Sequence, residues 1–219
     1  LLTGFGLMIS ACSFGPMAVR VSLPIIHGGL AAMNRETDLT LAATAIPASL
    51  KMLEGMIEID AKNPILLTQA AQGFYAYAYG FVEEEGGARA SALYLRRLGY
   101  ACRALQLTGL EVDLMLSRQQ DLERAVDQLG KDAVPALFWS ASCLARWVYL
   151  NRSDPQALAH IGRAKALMQR VLQLDDRYYY GGAHLFFGVY YGSLSPMFGG
   201  DYARSRRHFN YASDITQGK

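Results

Sequence analysis

Apolar side chains recur along this chain with the 3.6-residue period of a helix, and the two-residue alternation of a half-buried strand is scarce. Each such segment carries an apolar stripe that has to be covered, and helices covering helices is the arrangement available. The class read from the pattern is all-α. Helices are predicted over 22–35 (weakened by Gly28-Gly29), from Asp38 as a cap, and from Pro47 as a first-turn residue through Ile59. The last puts Leu50, Leu53, Met56 and Ile57 on one face. Asn63-Pro64 opens an aromatic helix over 66–82, and Glu83-Glu84-Glu85-Gly86-Gly87 reads as a solvated loop before a helix over 90–107. Further helices are predicted over 112–129, 134–150, 155–174, 181–194 and, capped by Asp201, 202–215.

At 219 residues the chain is long enough to bury a sizeable core, and 52% apolar against 18% charged residues excludes wholesale disorder. A net charge of +2 with scattered basic residues gives no field for nucleic acid. No nucleophile elbow, phosphate loop, paired-cysteine metal motif or zincin helix occurs, so neither an enzyme nor a cofactor or metal is expected. His27, His160, His184 and His208 are isolated from other ligand types in sequence and read as structural or solvent-facing.

Residues 1–11 are uncharged and mostly apolar. As a helix they reach about 16 Å, half of a bilayer core of about 30 Å, which fits a signal-peptide remnant and not a span. Ile9-Ser10-Ala11-Cys12 then resembles a bacterial lipobox, with Cys12 as the lipidated residue. Residues 12–21 read as lipidated cysteine and linker, and 22–219 as one helical domain. No second apolar run reaches the length of a membrane span, so the membrane is engaged through the lipid anchor alone. Ser13 after the cysteine resembles lipoproteins sorted to the outer membrane. Cys102 and Cys143 fall on apolar helices, and spacing leaves open whether they are bridged or free.

Stacked helix pairs of the tetratricopeptide kind need contact positions spaced three, four, three on the second helix of each pair. Ile161, Ala164, Met168 and Val171 fit, followed by a Leu172-Gln173-Leu174-Asp175 turn. Tyr202, Ser205, Phe209 and Ala212 fit, as do Ala48, Met52 and Gly55. Leu67, Ala70, Ala71 and Phe74 fall on first-helix positions. The expected architecture is a tetratricopeptide-like array of antiparallel helix pairs, an α-α superhelix, with insertions at 80–93 and 195–200.

Ordered motifs carry a closer resemblance. After the lipobox come Ala45-Ile46-Pro47-Ala48-Ser49-Leu50, Leu53-Glu54-Gly55 and Asn63-Pro64. The alanine-tyrosine run Gly73-Phe74-Tyr75-Ala76-Tyr77-Ala78-Tyr79 and Val134-Pro135-Ala136-Leu137-Phe138-Trp139 follow. The tail holds His184-Leu185-Phe186-Phe187-Gly188-Val189-Tyr190-Tyr191 and Gly199-Gly200-Asp201-Tyr202-Ala203-Arg204. The series resembles the T component of tetratricopeptide-associated TRAP transporters, a family of bacterial periplasmic lipoproteins. The resemblance implies association with the periplasmic substrate-binding protein of a TRAP transporter, homotrimers, a channel for a hydrophobic small-molecule ligand, and continuation of the chain past its last helix here.

Aromatic density marks the candidate ligand wall. Counting from Ala70-Ala71, Gln72, Tyr75 and Tyr79 face the groove, along with Thr68. The register of the next aromatic helix is ambiguous by one or two residues, with Ser142, Arg146 and Tyr149 as candidates. Phe138, Trp139 and Tyr190 complete the set, and for any one ring the alternative is plain core packing. A cavity of rings with one buried Arg146 would suit an apolar organic acid. The competing function is a tetratricopeptide scaffold lipoprotein that binds a protein or peptide during envelope assembly.

Overall fold

The computed structural model describes residues 14–217, so Cys12 and the lipobox lie outside the described residues. The chain divides into two compact units, meeting in sequence at Asn63 and Pro64, where one domain over 22–219 is expected. Among the described residues there are helices and turns, with no strand.

The first unit is a hairpin of α1 (Phe14–Met33) and α2 (Leu39–Ile59). Residues 14–21, expected as linker, are helical, since Pro16 sits in the first turn, where its missing N–H costs nothing. Pro24 and Gly28-Gly29 do not stop α1. Its 20 residues are long and apolar enough, by length and composition, to cross a membrane, which corrects the expectation of no such run. Signal sequences near an N-terminus and core helices meet the same criterion. Asp38 accepts hydrogen bonds from the Thr40 and Leu41 amides at 2.9 and 3.0 Å, starting α2 early enough that Pro47 lies inside it. Leu50, Leu53 and Ile57 are buried, whereas the repeat-like positions Ala48, Met52 and Gly55 are exposed. The repeat spacing there falls on the opposite face. Arg20 Nε donates to Asp60 Oδ2 at 2.9 Å, and Asn63 Nδ2 donates to the same oxygen at 3.0 Å, tying α1 to the end of α2.

The second unit runs α3 (Pro64–Tyr77), a π-helical turn (Ala78–Val82), α4 (Gly87–Leu107), α5 (Gln119–Val126) and α6 (Val134–Leu150). It continues with α7 (Pro155–Leu158), α8 (Ile161–Leu174), α9 (Tyr178–Ser193) and α10 (Tyr202–Thr216). α3 packs on α4, α4 on α6, α6 on α8, α8 on α9 and α9 on α10, while α3 also meets α6. Small residues let the axes close: Ala70, Ala71, Ala101, Ala104, Ala141 and Ala164 are fully buried. Leu67, Leu105, Leu137, Leu144 and Leu167 fill the space between them.

Two predicted helices are cut, and a third is entered through an unexpected turn. Asp113 accepts from the Met115 and Leu116 amides at 2.7 and 2.8 Å, offering the backbone a turn in place of a helix, so only Gln119–Val126 of 112–129 is α-helical. The stretch 155–174 breaks between Leu158 and Ile161. At the start of α9, Tyr179, Tyr180 and Gly181 take left-handed backbone with φ of 47°, 60° and 73°, a conformation costing about 1–2 kcal/mol per non-glycine residue.

Candidate functional site

The π-helical turn is what builds the site. One extra residue per turn at Ala78–Val82 rotates the following chain, and Glu83 leaves its predicted solvated loop for a half-sealed position, with a side chain only 14% exposed. There it pairs with Arg146 of α6. Arg146 Nε donates to Glu83 Oε1 at 3.0 Å and its Nη2 donates to Oε2, a two-pronged contact across 63 residues of sequence. Tyr94 of α4 donates its hydroxyl to Glu83 Oε1 at 2.6 Å. Burial works against the Arg146 charge, but the hydrogen bond and charge of Glu83 outweigh it, and the guanidinium pKa is raised. Burial pushes the Tyr94 hydroxyl far up, and the bond to Glu83 adds to it. Tyr94 is therefore a fixed donor. The cation expected to await an organic acid already has its anion.

Around this pair the rings form one connected seam. Tyr75 lies 5.5 Å from Tyr94, 5.5 Å from Trp139 and stacked 6.0 Å from Tyr79, centroid to centroid. Phe138 and Trp139 meet edge to face at 4.9 Å, and both touch Tyr179 of the left-handed turn, at 5.5 and 4.8 Å. Gln72 stands beside the Tyr179 hydroxyl and favours its ionised form, but the larger effect of burial raises the phenol pKa. The Trp139 indole N–H is buried beside Tyr178 without a well-formed hydrogen bond. Arg146 lies 5.0 Å from the Tyr79 ring centre and 4.8 Å from that of Tyr149, so both rings gain a cation on one face.

The structure thus gathers Gln72, Tyr75, Tyr79, Phe138, Trp139, Arg146 and Tyr149 into one region. Phe138 and Trp139 are core, at 6% and 2% exposure, while Tyr79 and Tyr149 are open at 56% and 52%. The seam has a buried floor and a wet rim. Tyr190 does not join it. It stacks on Phe186 at 6.1 Å under Lys165, in a second ring group on α9 with Phe187 and Tyr191. Glu83, Tyr94 and Tyr179 were missed by sequence reasoning. The acidic run looked solvated, Tyr94 is one tyrosine in an otherwise ordinary helix, and no local pattern announces a left-handed tyrosine. Cys102 and Cys143 are free thiols; burial raises Cys102 to about 12 and Cys143 further. Among the described residues no cluster of three or more metal-ligating side chains exists.

Among the described residues, packed helices hold a ring seam around one sheltered ion pair. The chain belongs to the TRAP transporter T-component family, whose description matches residues 35–219, from the turn before α2 to the end of the chain. That membership confirms the family resemblance, and places the chain in TRAP transport at the bacterial envelope as a transport accessory. A comparison with curated proteins returns no match.

Proposed function

We propose that this chain is a periplasmic lipoprotein, anchored through Cys12 to the outer membrane, that serves a TRAP-type uptake system by docking its substrate-binding protein. The observation that carries this reading is the family match over residues 35–219, which includes every element of the ring seam. The pairings α3 with α4, α6 with α8 and α9 with α10, with α3 also against α6, support a tetratricopeptide-like array within the second unit. Exposed Leu185 and Val189 on α9 and Tyr202 on α10 offer apolar surface of the kind a homotrimer would cover.

The ring seam is the ligand wall in this reading. Because Glu83 neutralises Arg146, the solute taken there is apolar and uncharged over the part that meets Tyr79 and Tyr149. The lipidated protein, captured from envelope extract, should retain a solute-binding subunit and lose it when an unrelated lipoprotein is the bait. Capture of envelope-assembly proteins alone would favour the scaffold reading instead. Native mass spectrometry of Tyr79→Leu and Tyr149→Leu should show weaker solute retention; unchanged retention rejects the seam as the wall.

A further inference from the structure

A second concave region lies within the larger unit, away from the ring seam. α10 presents Arg204, Arg207, His208 and Tyr211 at offsets of three, four and seven, which is one helical face. That face, with Gln169 and Leu172 of α8 and Tyr191 of α9, lines an open crevice of about 400 Å³. The size sits near the low end of small-molecule sites, about 300–1,000 Å³, so it admits a one- or two-ring molecule.

Its charges are unbalanced. Arg204 shares the Asp201 carboxylate at 3.3 Å and lies 5.5 Å over the Tyr191 ring. Arg207 has no carboxylate partner among the described residues. Two guanidiniums and no carboxylate line the crevice itself. Behind them, His208 Nδ1 meets His184 Nδ1 at 3.0 Å, a contact that needs one proton between the two rings. His184 is nine-tenths buried, its Nε2 has no hydrogen bond, and Asp176 stands 3.8 Å away. Covalent geometry then turns His208 Nε2 away from His184.

We propose that this crevice binds a small organic monoanion, with its carboxylate held by Arg207 and Arg204 and its flat apolar body against Tyr191 and Tyr211. Arginine suits this role because its planar fork matches a carboxylate. The site is independent of the transport reading and stands or falls without it.

The groups facing His208 are His184, with Asp176 behind it, and Tyr191 from the α9 side, Arg204, Arg207 and Tyr211 on its own helix, and uncharged Gln169 from α8. Burial, then His184, Arg207 and Arg204, hold the His208 pKa below its usual value. A bound anion opposes the cationic part of that effect, so binding draws a proton in and strengthens as pH falls.

The test is calorimetric titration of the full chain carrying Cys12→Ser with 2-naphthoate, its neutral amide, and inorganic phosphate. Naphthoate should bind and the amide should not, with Arg207→Gln weakening naphthoate roughly tenfold or more. Arg206→Gln, one position round the helix, should leave it unchanged. Affinity should rise severalfold from pH 7.5 to 6, a change that His208→Gln abolishes. Equal binding of acid and amide, phosphate binding without naphthoate, or indifference to Arg207→Gln would each overturn the proposal.

Discussion

Replacing Arg146 by Met removes the cation from the Glu83 pair while keeping most of the side chain's volume. Two opposing limits bound the cost. An exposed ion pair contributes about 0–1 kcal/mol, and breaking a fully buried one costs about 3–5 kcal/mol. Glu83 is 14% exposed and Arg146 25%, so the pair lies nearer the buried limit, with some water reaching the guanidinium. Arg146→Met strands a carboxylate whose remaining partner is the Tyr94 hydroxyl, and about 2–3 kcal/mol is expected. Glu83→Gln strands the better-solvated member and should cost about 1–2 kcal/mol. The exposed Arg89–Glu85 pair, at 59% and 67%, is the internal control, and Glu85→Gln should cost under about 0.5 kcal/mol. Both tryptophans, Trp139 and Trp147, sit on α6, so urea unfolding followed by their fluorescence reports on this unit. In thermal melts Arg146→Met should lose roughly 4–12 °C. The double variant should cost less than the sum by about 1–3 kcal/mol, which isolates the pair from the contacts Arg146 makes with Tyr79 and Tyr149. An Arg146→Met cost no larger than that of Glu85→Gln would refute the claim that the pair is sheltered.

Other perturbations separate further claims. A Cβ on Gly182 would stand 2.6 Å from the buried Phe138 ring, so Gly182→Ala should destabilise by about 1–3 kcal/mol, whereas Gly99→Ala in α4 meets nothing and should stabilise by about 1 kcal/mol in the same melts. Tyr180 is 62% exposed and left-handed, so Tyr180→Gly should be neutral to stabilising despite the lost ring, while Gly181→Ala should destabilise by at least about 1 kcal/mol. The Arg20 hydrogen bond holds the Asp60 pKa below its unfolded value. That contribution is complete above about pH 4 and lost as pH falls through the lower folded value, so acid unfolding of wild type and Asp60→Asn should converge below about pH 4. With Cys12→Ser, Cys143 should resist a thiol reagent at pH 8 until denaturant is added, and partly exposed Cys102 should react first; rapid labelling of both in the native chain would contradict the burial of Cys143.

Local chemistry carried the fold class. Periodicity, and the capping carboxylates Asp38 and Asp201, act within one or two turns, and each carboxylate does cap a helix in the structure. Leu67, Ala70, Ala71 and Phe74 are buried as their spacing requires. Ordered motifs along the chain likewise sufficed for the family. Pairings between distant elements were not written locally. Glu83 meets Arg146, and His184 meets His208, because helix packing carries them together. A glutamate in an acidic run and a histidine between aromatics look the same in sequence whether solvated or paired. The π-helical turn that redirects Glu83 and the left-handed turn that sets Tyr179 against Trp139 were likewise decided by tertiary packing. A stripe says which side chains need cover; only the surrounding helices decide what covers them and what charge they meet.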